Sequence, residues 1–314
     1  MLRSIFFAAV ALVASPLAAK PGSLLIVGGG LDDQKSNVLG EMLASMPDRG
    51  DTIAIIPSAS GEASVAAREL TEALAKLGVD RSRVSVVQIA MIDDEASKDV
   101  DEAGWASNAA NPAEIAKIEK AGAIWFTGGD QLRTLRLLVN ADNSDTPMLV
   151  AVRKRLAAGA VVAGTSAGAA IMGSGMIVCG TADIAATGPV SRNPADCDVP
   201  DDRPVPLVLG KGLGFLNGAV VDQHFSQRNR WVRLLRATAC IGGNIRHGFG
   251  IDEDTALLID LNSSKARVIG EGGVAHALRG PTGACDPFAF TDQSLSYRRA
   301  GDRFRIKLRR GDSK

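Results

Sequence analysis

Residues 160–173 read AVVAGTSAGAAIMG and join an apolar run to a stretch of small residues. The run AVVAG has the composition of a strand buried on both faces, and AAIMG that of a small-residue helix. Between them, Gly164-Thr165-Ser166-Ala167-Gly168 fits G-x-S-x-G, in which the glycines permit a tight turn that exposes the serine hydroxyl. The stretch predicts a strand–turn–helix unit with Ser166 as nucleophile and the Ala167 amide as an oxyanion donor; a purely structural turn is the alternative.

The chain before this unit alternates between short apolar runs and helical patterns. The runs are rich in Val and Ile and lie at 24–28, 52–57, 84–89 and 123–126. Apolar residues at helical spacing, or helix-start signals, mark 63–77, 112–121, 131–139 and 148–158. Strands that alternate with helices at this spacing predict an α/β fold whose parallel sheet is covered on both faces.

The second half has a different pattern. Residues 181–210 contain five prolines and predict a long irregular loop. Because this loop follows the helix after Ser166, we expect it to form one wall of the active site. Strand patterns joined by short turns predict two hairpins, at 256–260 with 266–269 and at 295–299 with 303–308.

Composition limits the classes of function. Lys plus Arg and Asp plus Glu both number 35, so no overall basic field favours nucleic acid or an anionic membrane as a partner. Aromatic residues make up only 4%, which disfavours base-stacking surfaces. We find no internal repeat or linker, and we expect residues 20–314 to form a single domain.

The N-terminus has the layout of a secretory signal peptide. Met1-Leu2-Arg3 is followed by the apolar run Ile5–Ala14 and by the small residues that end at Ala19. We therefore expect residues 1–19 to be a signal peptide and the protein to be exported, to the periplasm or the medium. A buried N-terminal helix and an uncleaved anchor are the alternatives.

Four cysteines remain for the mature chain: Cys179, Cys197, Cys240 and Cys285. None forms a C-x-x-C pair and no histidine stands at a zinc-like spacing, so metal binding is disfavoured. An oxidising compartment favours disulfides, and four cysteines allow three pairings between which the sequence does not choose. Buried free thiols are the alternative.

Three histidines are candidates for the base that a serine nucleophile needs. His224 lies in a polar cluster directly after the apolar run 218–221, where open α/β sheets place their sites. His247 lies in a glycine-rich turn and His276 in an apolar strand pattern, so we expect both to be structural. His224 is therefore the preferred base.

Acidic and glycine-rich segments follow other apolar runs. Any carboxylate of Asp252-Glu253-Asp254 could orient the base, unless this is a solvated acidic turn. Gly128-Gly129-Asp130-Gln131 could bind an anion or supply a second oxyanion donor. Gly28-Gly29-Gly30 lacks the G-x-G-x-x-G spacing, which disfavours dinucleotide binding. Arg228, Arg230 and Arg233 follow His224 and imply a substrate with carboxylates, or else a solvated helix face.

Four stretches occur in order along the chain: FTGGDQLR at 126–133, GTSAGAAIMG at 164–173, VDQHFSQRNRWVRLL at 221–235 and GIDEDTALL at 250–258. Together they resemble the cyanophycinase and peptidase E-like family of serine peptidases. The resemblance implies a three-layer α/β/α fold with a mostly parallel central sheet, like class I glutamine amidotransferase domains. It also implies a homodimer and no metal or cofactor.

The resemblance also implies the roles of individual residues. Ser166 would be the nucleophile, His224 the general base and acid, and Glu253 the orienting carboxylate. Backbone amides of Ala167 and Gly129 would hold the oxyanion. Six further residues would line the substrate pocket: Gln131, Asp222, Gln223, Arg228, Arg230 and Arg233.

The substrate class follows from the same resemblance. The family hydrolyses cyanophycin, a poly-aspartate backbone that bears arginine on its side-chain carboxyls, to β-Asp-Arg dipeptides. The arginine cluster would pair with aspartyl carboxylates, and Asp222 would meet the substrate guanidinium.

Three other functions compete with this one. An isoaspartyl dipeptidase would act on short β-aspartyl peptides with the same machinery. An esterase of the α/β-hydrolase type would use Ser166, Asp252 and His276, in the chain order of that fold. A binding protein would keep the fold without turnover.

Overall fold

The computed structural model describes residues 21–32, 37–198, 204–280, 285 and 292–307. The predicted signal peptide at 1–19 lies outside these residues. Across the described ranges, no helix combines the length and apolar character needed to cross a bilayer.

The first sheet has eight strands, and its parallel part comes from the first half of the chain. Five strands run parallel in the order β1-β5-β4-β2-β3. They are β1 (Ser23–Val27), β2 (Thr52–Ile56), β3 (Val84–Val86), β4 (Ala121–Phe126) and β5 (Val161–Thr165). All except β3 are almost wholly buried, which explains the absence of polar alternation in the apolar runs.

Helices cover both faces of this parallel part, as predicted. The helices are α1 (Val38–Ser45), α2 (Ala63–Lys76), α3 (Pro112–Glu119), α4 (Gln131–Leu138) and α5 (Pro147–Ala157). Leu25 and Ile53 pack with α1 and α2 on one face, and Leu24 and Ala54 pack with α3, α4 and α5 on the other. Side chains of Asn111, Asp130 and Thr146 cap the last three helices.

The second half of the chain builds a mixed sheet of seven strands, in the order β14-β13-β10-β9-β6-β8-β7. Its strands are β6 (Gly173–Cys179), β7 (Val190–Ser191), β8 (Leu207–Lys211), β9 (Leu216–Asp222), β10 (His247–Ile251), β13 (Gly273–Arg279) and β14 (Gln293–Arg299). Three short or medium helices accompany it: α6 (Ala167–Ala170), α7 (Ile184–Thr187) and α8 (Trp231–Cys240). One hydrophobic cluster joins Phe126 of the first sheet to Val221 and Phe249 of the second.

Three strands return to the first sheet and extend it antiparallel from β1: β11 (Thr255–Asp260), β12 (Lys265–Gly270) and β15 (Arg303–Arg305). The predicted hairpin at 256–260 and 266–269 is confirmed as β11–β12. The predicted pairing of 295–299 with 303–308 is wrong, because β14 pairs with β13 in the second sheet while β15 pairs with β12 in the first. The turn between them bonds to Val268 and Gly272, so the chain crosses from one sheet to the other there.

The segment predicted as a long irregular loop is more ordered than expected. It contains α7, β7 and a 3₁₀ helix (Pro194–Cys197), and its last residues belong to β8. The structure also answers the question of cysteine pairing: Cys179 bonds to Cys197, and Cys240 bonds to Cys285.

Candidate active site

Ser166 occupies a strained turn between β5 and α6. Its backbone has φ 53° and ψ −113°, a conformation that L-residues rarely adopt outside functional turns. A Cβ added to Gly164 would lie 2.4 Å from the Gly168 carbonyl oxygen, and one added to Gly168 would lie 2.4 Å from that of Phe126. The glycines of the G-x-S-x-G stretch are therefore required by close packing as well as by the turn.

Two hydrogen bonds connect Ser166 to a carboxylate through His224. The distance from Ser166 Oγ to His224 Nε2 is 2.9 Å, and that from His224 Nδ1 to Glu253 Oε1 is 2.6 Å. A carboxylate only accepts, so the neutral imidazole carries its hydrogen on Nδ1 and leaves Nε2 to accept from the serine hydroxyl. This is the arrangement that general-base activation of a serine requires.

The backbone of the first sheet helps to hold the imidazole. His224 has a left-handed φ of 45°, and its amide donates to the Gly28 carbonyl at 2.7 Å. A Cβ on Gly29 would lie 2.4 Å from the His224 ring. Sequence reasoning considered this glycine run only as a dinucleotide loop and missed its role. A glycine run directly after a buried strand was the available signal, because it marks a close approach of the backbone to another group.

Of the three adjacent carboxylates, Glu253 is the one that reaches a histidine. Asp252 is buried and accepts from the amides of Ser226 and Gly273, both at 3.0 Å, and from the Tyr297 hydroxyl. Asp254 accepts from the Asp32 amide. The Asp252 carboxylate therefore organises the backbone around the site and does not act on a histidine.

The other two histidines lie apart from Ser166. His247 Nδ1 is 3.0 Å from His276 Nε2, and the His276 ring stacks on Phe249. The alternative arrangement of Ser166, Asp252 and His276 is thus wrong, because Asp252 and His276 bond to different groups.

The protonation state of His224 suits a base. Burial lowers the pKa of His224 below its usual value of 6.5, and the positive charge of Arg228 acts in the same direction. The hydrogen bond that His224 donates to Glu253 opposes this shift without cancelling it. His224 is therefore neutral at neutral pH and able to take a proton.

Ser166 opens into a cavity of about 530 Å³, a size suited to small ligands or one end of a longer one. The six residues expected in the substrate pocket all line it: Gln131, Asp222, Gln223, Arg228, Arg230 and Arg233. The predicted wall is present too, since Thr181, Cys197 and Val205 also line the cavity. Gln131 donates its side-chain nitrogen to the Ile177 and Val178 carbonyls, which ties α4 to β6 across the cavity.

Asp222 is paired with arginines of the same cavity. It is 1% exposed, and both of its oxygens accept from Arg233, with an Nε–Oδ2 distance of 2.8 Å. Arg230 adds a contact to Oδ1 at 3.3 Å. A carboxylate buried this deeply requires internal partners, and Asp222 has two. Its contact with a substrate guanidinium stays a prediction.

The cavity is therefore cationic. Two arginines share the single carboxylate of Asp222, and Arg228 is exposed at the cavity without a hydrogen bond from its guanidinium to any described residue. Burial and the neighbouring arginines lower the pKa of Arg230 to about 10 against the attraction of Asp222, which leaves it charged at neutral pH. Such a lining favours carboxylate groups of a ligand.

Backbone amides beside Ser166 complete the site. Gly128 passes so close that its Cβ would lie 3.3 Å from that of Ser166. Within the described ranges, the amides of Gly129 and Ala167 donate to no backbone or side-chain acceptor. The same part of the chain holds no group of three or more His, Cys, Asp or Glu side chains arranged for a metal ion.

Comparisons with known proteins identify the family of this chain. The model of peptidase family S51 matches residues 24–267. The cyanophycinase of Geminocystis herdmanii is 32% identical over 295 residues, which cover 91% of this chain and 94% of that protein. The cyanophycinase of Trichormus variabilis is 30% identical over 308 residues, or 94% of this chain and 89% of its own.

A solved structure shows the same fold. A peptidase from an acI-B1 Actinobacterium superposes with a TM-score of 0.56 at 20% identity and covers 92% of this chain and 98% of its own. The class I glutamine amidotransferase-like α/β fold that we expected is thus confirmed. From the family match and the similarity over nearly the full length, we conclude that the chain belongs to peptidase family S51 and is a serine-type peptidase.

Proposed function

We propose that this protein hydrolyses cyanophycin (multi-L-arginyl-poly-L-aspartate) to β-Asp-Arg dipeptides, with Ser166, His224 and Glu253 as catalytic triad. The observation that carries the proposal is the 2.9 Å contact from Ser166 Oγ to His224 Nε2, continued by Glu253 at 2.6 Å. The relatives named cyanophycinase, which align over most of the chain, supply the substrate class.

The proposed reaction is acyl transfer to water. His224 takes the Ser166 proton while Oγ attacks the carbonyl carbon, and the amides of Ala167 and Gly129 hold the oxyanion. His224 then gives the proton to the leaving amine, and water, deprotonated by the same imidazole, releases the acyl group. Glu253 stabilises the imidazolium in both steps. Because the product keeps arginine on the aspartyl β-carboxyl, the bond that breaks is the backbone peptide bond between successive aspartates.

The charge of the cavity fits this substrate. Each cyanophycin residue carries a carboxylate on its arginine, and the unpaired Arg228 is available to bind one. Arg230 and Arg233 are held in place by Asp222, so they present positive charge without the entropic cost of ordering a free side chain.

We also propose that the protein is exported. The layout of residues 1–19 is that of a signal peptide. The disulfides Cys179–Cys197 and Cys240–Cys285 support an oxidising compartment, where such bonds persist. A large insoluble polymer from another cell cannot cross an intact membrane, so an enzyme that acts on it has to be exported.

The first test measures soluble dipeptide released from insoluble cyanophycin by the mature chain. We expect Ser166→Ala and His224→Ala to reduce kcat by a factor on the order of 10⁴ or more, because triad members act as a unit. Ser144→Ala is the matched control: the same change at an exposed serine that bonds only within its own turn, and it should leave the rate unchanged.

The pattern of failure is informative. If the protein leaves cyanophycin intact but cleaves short β-aspartyl peptides, and this cleavage depends on Ser166, it is an isoaspartyl dipeptidase and not a cyanophycinase. If the protein binds cyanophycin tightly but cleaves neither cyanophycin nor short β-aspartyl peptides, it is a binding protein without catalytic activity.

A further inference from the structure

A second cavity, of about 380 Å³, lies at the end of the second sheet opposite to Ser166. It is lined by residues at the starts of β9 and β10 and at the ends of β13 and β15, whereas His224 and Glu253 follow the carboxyl ends of β9 and β10. A strand of the length of β9 spans roughly 20 Å, so the two cavities are separate sites.

The lining of this cavity is positively charged. Among the described residues, the lining contains Arg246, Arg305 and Lys307 and no acidic side chain. Arg246 Nε donates to the Arg279 carbonyl at 3.1 Å, and Arg305 Nη1 donates to the Ser263 carbonyl at 3.3 Å, so both partners are uncharged. In the part of the chain that the structure describes, none of the three cations forms an ion pair with a carboxylate.

The remaining polar groups of the lining are mutually bonded neutral side chains. Asn244 donates to the side-chain oxygen of Asn217 at 3.1 Å. His247 Nε2 lies 3.3 Å from the Lys307 carbonyl, which only accepts, so Nε2 carries the hydrogen of His247. His247 Nδ1 then accepts from His276 Nε2 at 3.0 Å. These bonds hold the imidazoles and amides in place around the cavity.

We propose that this cavity binds a small, multiply charged oxyanion, either a di- or tricarboxylate or a phosphate. Three like charges that line one concave surface repel each other, and an anion among them would relieve the repulsion and accept charge-assisted hydrogen bonds. The volume suits a small molecule.

The test is isothermal titration calorimetry of the full protein with citrate and with inorganic phosphate, at ionic strength held constant with sodium chloride. We expect one saturable site that the double variant Arg305→Gln/Lys307→Gln weakens at least about tenfold, since each hydrogen bond to a charged group is worth that much or more. Both side chains are exposed, so the variant should fold.

Two controls locate the site. Arg303→Gln removes the same charge from the same strand, but Arg303 does not line the cavity, so binding should be unchanged. Arg228→Gln removes the unpaired cation beside Ser166, and binding at the second cavity should persist. Response to citrate alone would assign a carboxylate ligand, and response to phosphate alone a phosphate ligand. Absence of saturable heat with both anions, or binding that is lost in Arg228→Gln and kept in the double variant, would overturn the proposal.

Discussion

At the residue scale, the position of the His224 imidazole depends on backbone as much as on hydrogen bonds. The ring lies against Gly29, and its own amide is tied to Gly28. The Asp252 carboxylate fixes the same region by accepting hydrogen bonds from the amides of Ser226 and Gly273. None of these groups takes part in proton transfer, yet each determines where Nε2 meets Ser166.

Gly29→Ala should therefore reduce activity. The added Cβ would lie 2.4 Å from the imidazole, and displacement of a catalytic group by about 1 Å costs on the order of 10² in rate. We expect a fall in kcat with cyanophycin. Gly78→Ala is the matched control, because Gly78 also has a positive φ, 84° against 102°, but nothing lies within 4 Å of its Cβ. Equal losses in the two variants would show that backbone strain alone, and not contact with His224, is responsible.

Arg228 should tune the pH dependence of the reaction. Its positive charge helps to lower the pKa of His224, so its removal raises that pKa toward 6.5. We expect the acidic limb of the kcat/KM profile to lie below pH 6.5 in the parent protein and to move to higher pH in Arg228→Gln. The profile of Arg303→Gln, which removes a distant exposed charge, should not move. An unchanged acidic limb in Arg228→Gln would contradict the assignment of His224 as the titrating base.

At the element scale, the segment between β6 and β8 owes its place at the cavity to a disulfide. Cys179 ends β6, Cys197 ends the 3₁₀ helix, and both line the cavity. Thr181 donates its amide to the Val205 carbonyl at 3.2 Å, and Arg192 donates to the Cys240 and Ile241 carbonyls. The disulfide thus ties the 3₁₀ helix of this segment to the end of β6 at the cavity.

Removal of this bond should weaken substrate binding more than it slows chemistry. In Cys179→Ser/Cys197→Ser we expect KM for soluble cyanophycin fragments to rise on the order of tenfold, equivalent to about 1.4 kcal/mol, with a smaller change in kcat. Cys240→Ser/Cys285→Ser removes the other disulfide, which does not line the cavity, and should lower stability while leaving KM near the parent value. The same rise in KM in both double variants would instead indicate general loosening of the fold.

The elements that the sequence predicted well are those whose signal is local. Buried parallel strands are apolar throughout, and Asn111 caps the helix that begins at Pro112, so the apolar runs and this helix start could be read directly. The sequence also indicated the turn at Ala300-Gly301-Asp302. It did not show the partners of the two flanking strands, because β14 pairs with β13 and β15 pairs with β12. Cysteine pairing and the division into two sheets depend on the same kind of long-range contact.

At the site, the sequence identified Ser166, His224 and the acidic segment, because each follows a buried strand. The residues alone left three carboxylates open, and the family resemblance pointed to Glu253. The structure places Glu253, and not Asp252, against His224. The sequence did not show that Asp222 pairs with Arg230 and Arg233, because neighbours in space are not visible in it. A list of pocket residues does not show which charges neutralise one another.

At the scale of the whole molecule, stability in acid should depend on Glu102, which is fully buried. Burial alone would raise its pKa, but hydrogen bonds from the Ser64 and Ser97 hydroxyls and the Asp94 amide outweigh it and lower the pKa to about 2. A carboxylate whose pKa falls on folding stabilises the protein above its unfolded value of 4.5, and this stabilisation is lost as the pH drops toward 2.

We therefore expect Glu102→Gln to lower the free energy of unfolding by about 1–3 kcal/mol at pH 7, as hydrogen bonds to a charged group are lost. The difference from the parent should shrink as the pH falls from 4.5 toward 2. Urea denaturation at pH 7 and pH 3 measures both effects. Glu119→Gln, at an exposed position, should leave both values unchanged. A deficit of the same size at both pH values would contradict the linkage.

The residues of the proposed triad come from both sheets, and this limits how the site can be transferred to another protein. Ser166 and the glycines that contact His224 follow strands of the first sheet, whereas His224 and Glu253 follow strands of the second. If only the turn between β5 and α6 were transferred to another protein, its serine would have no base to activate it. The smallest unit that can be transferred therefore contains the strand ends of both sheets. A protein designer has to keep the two sheets in the same relative position.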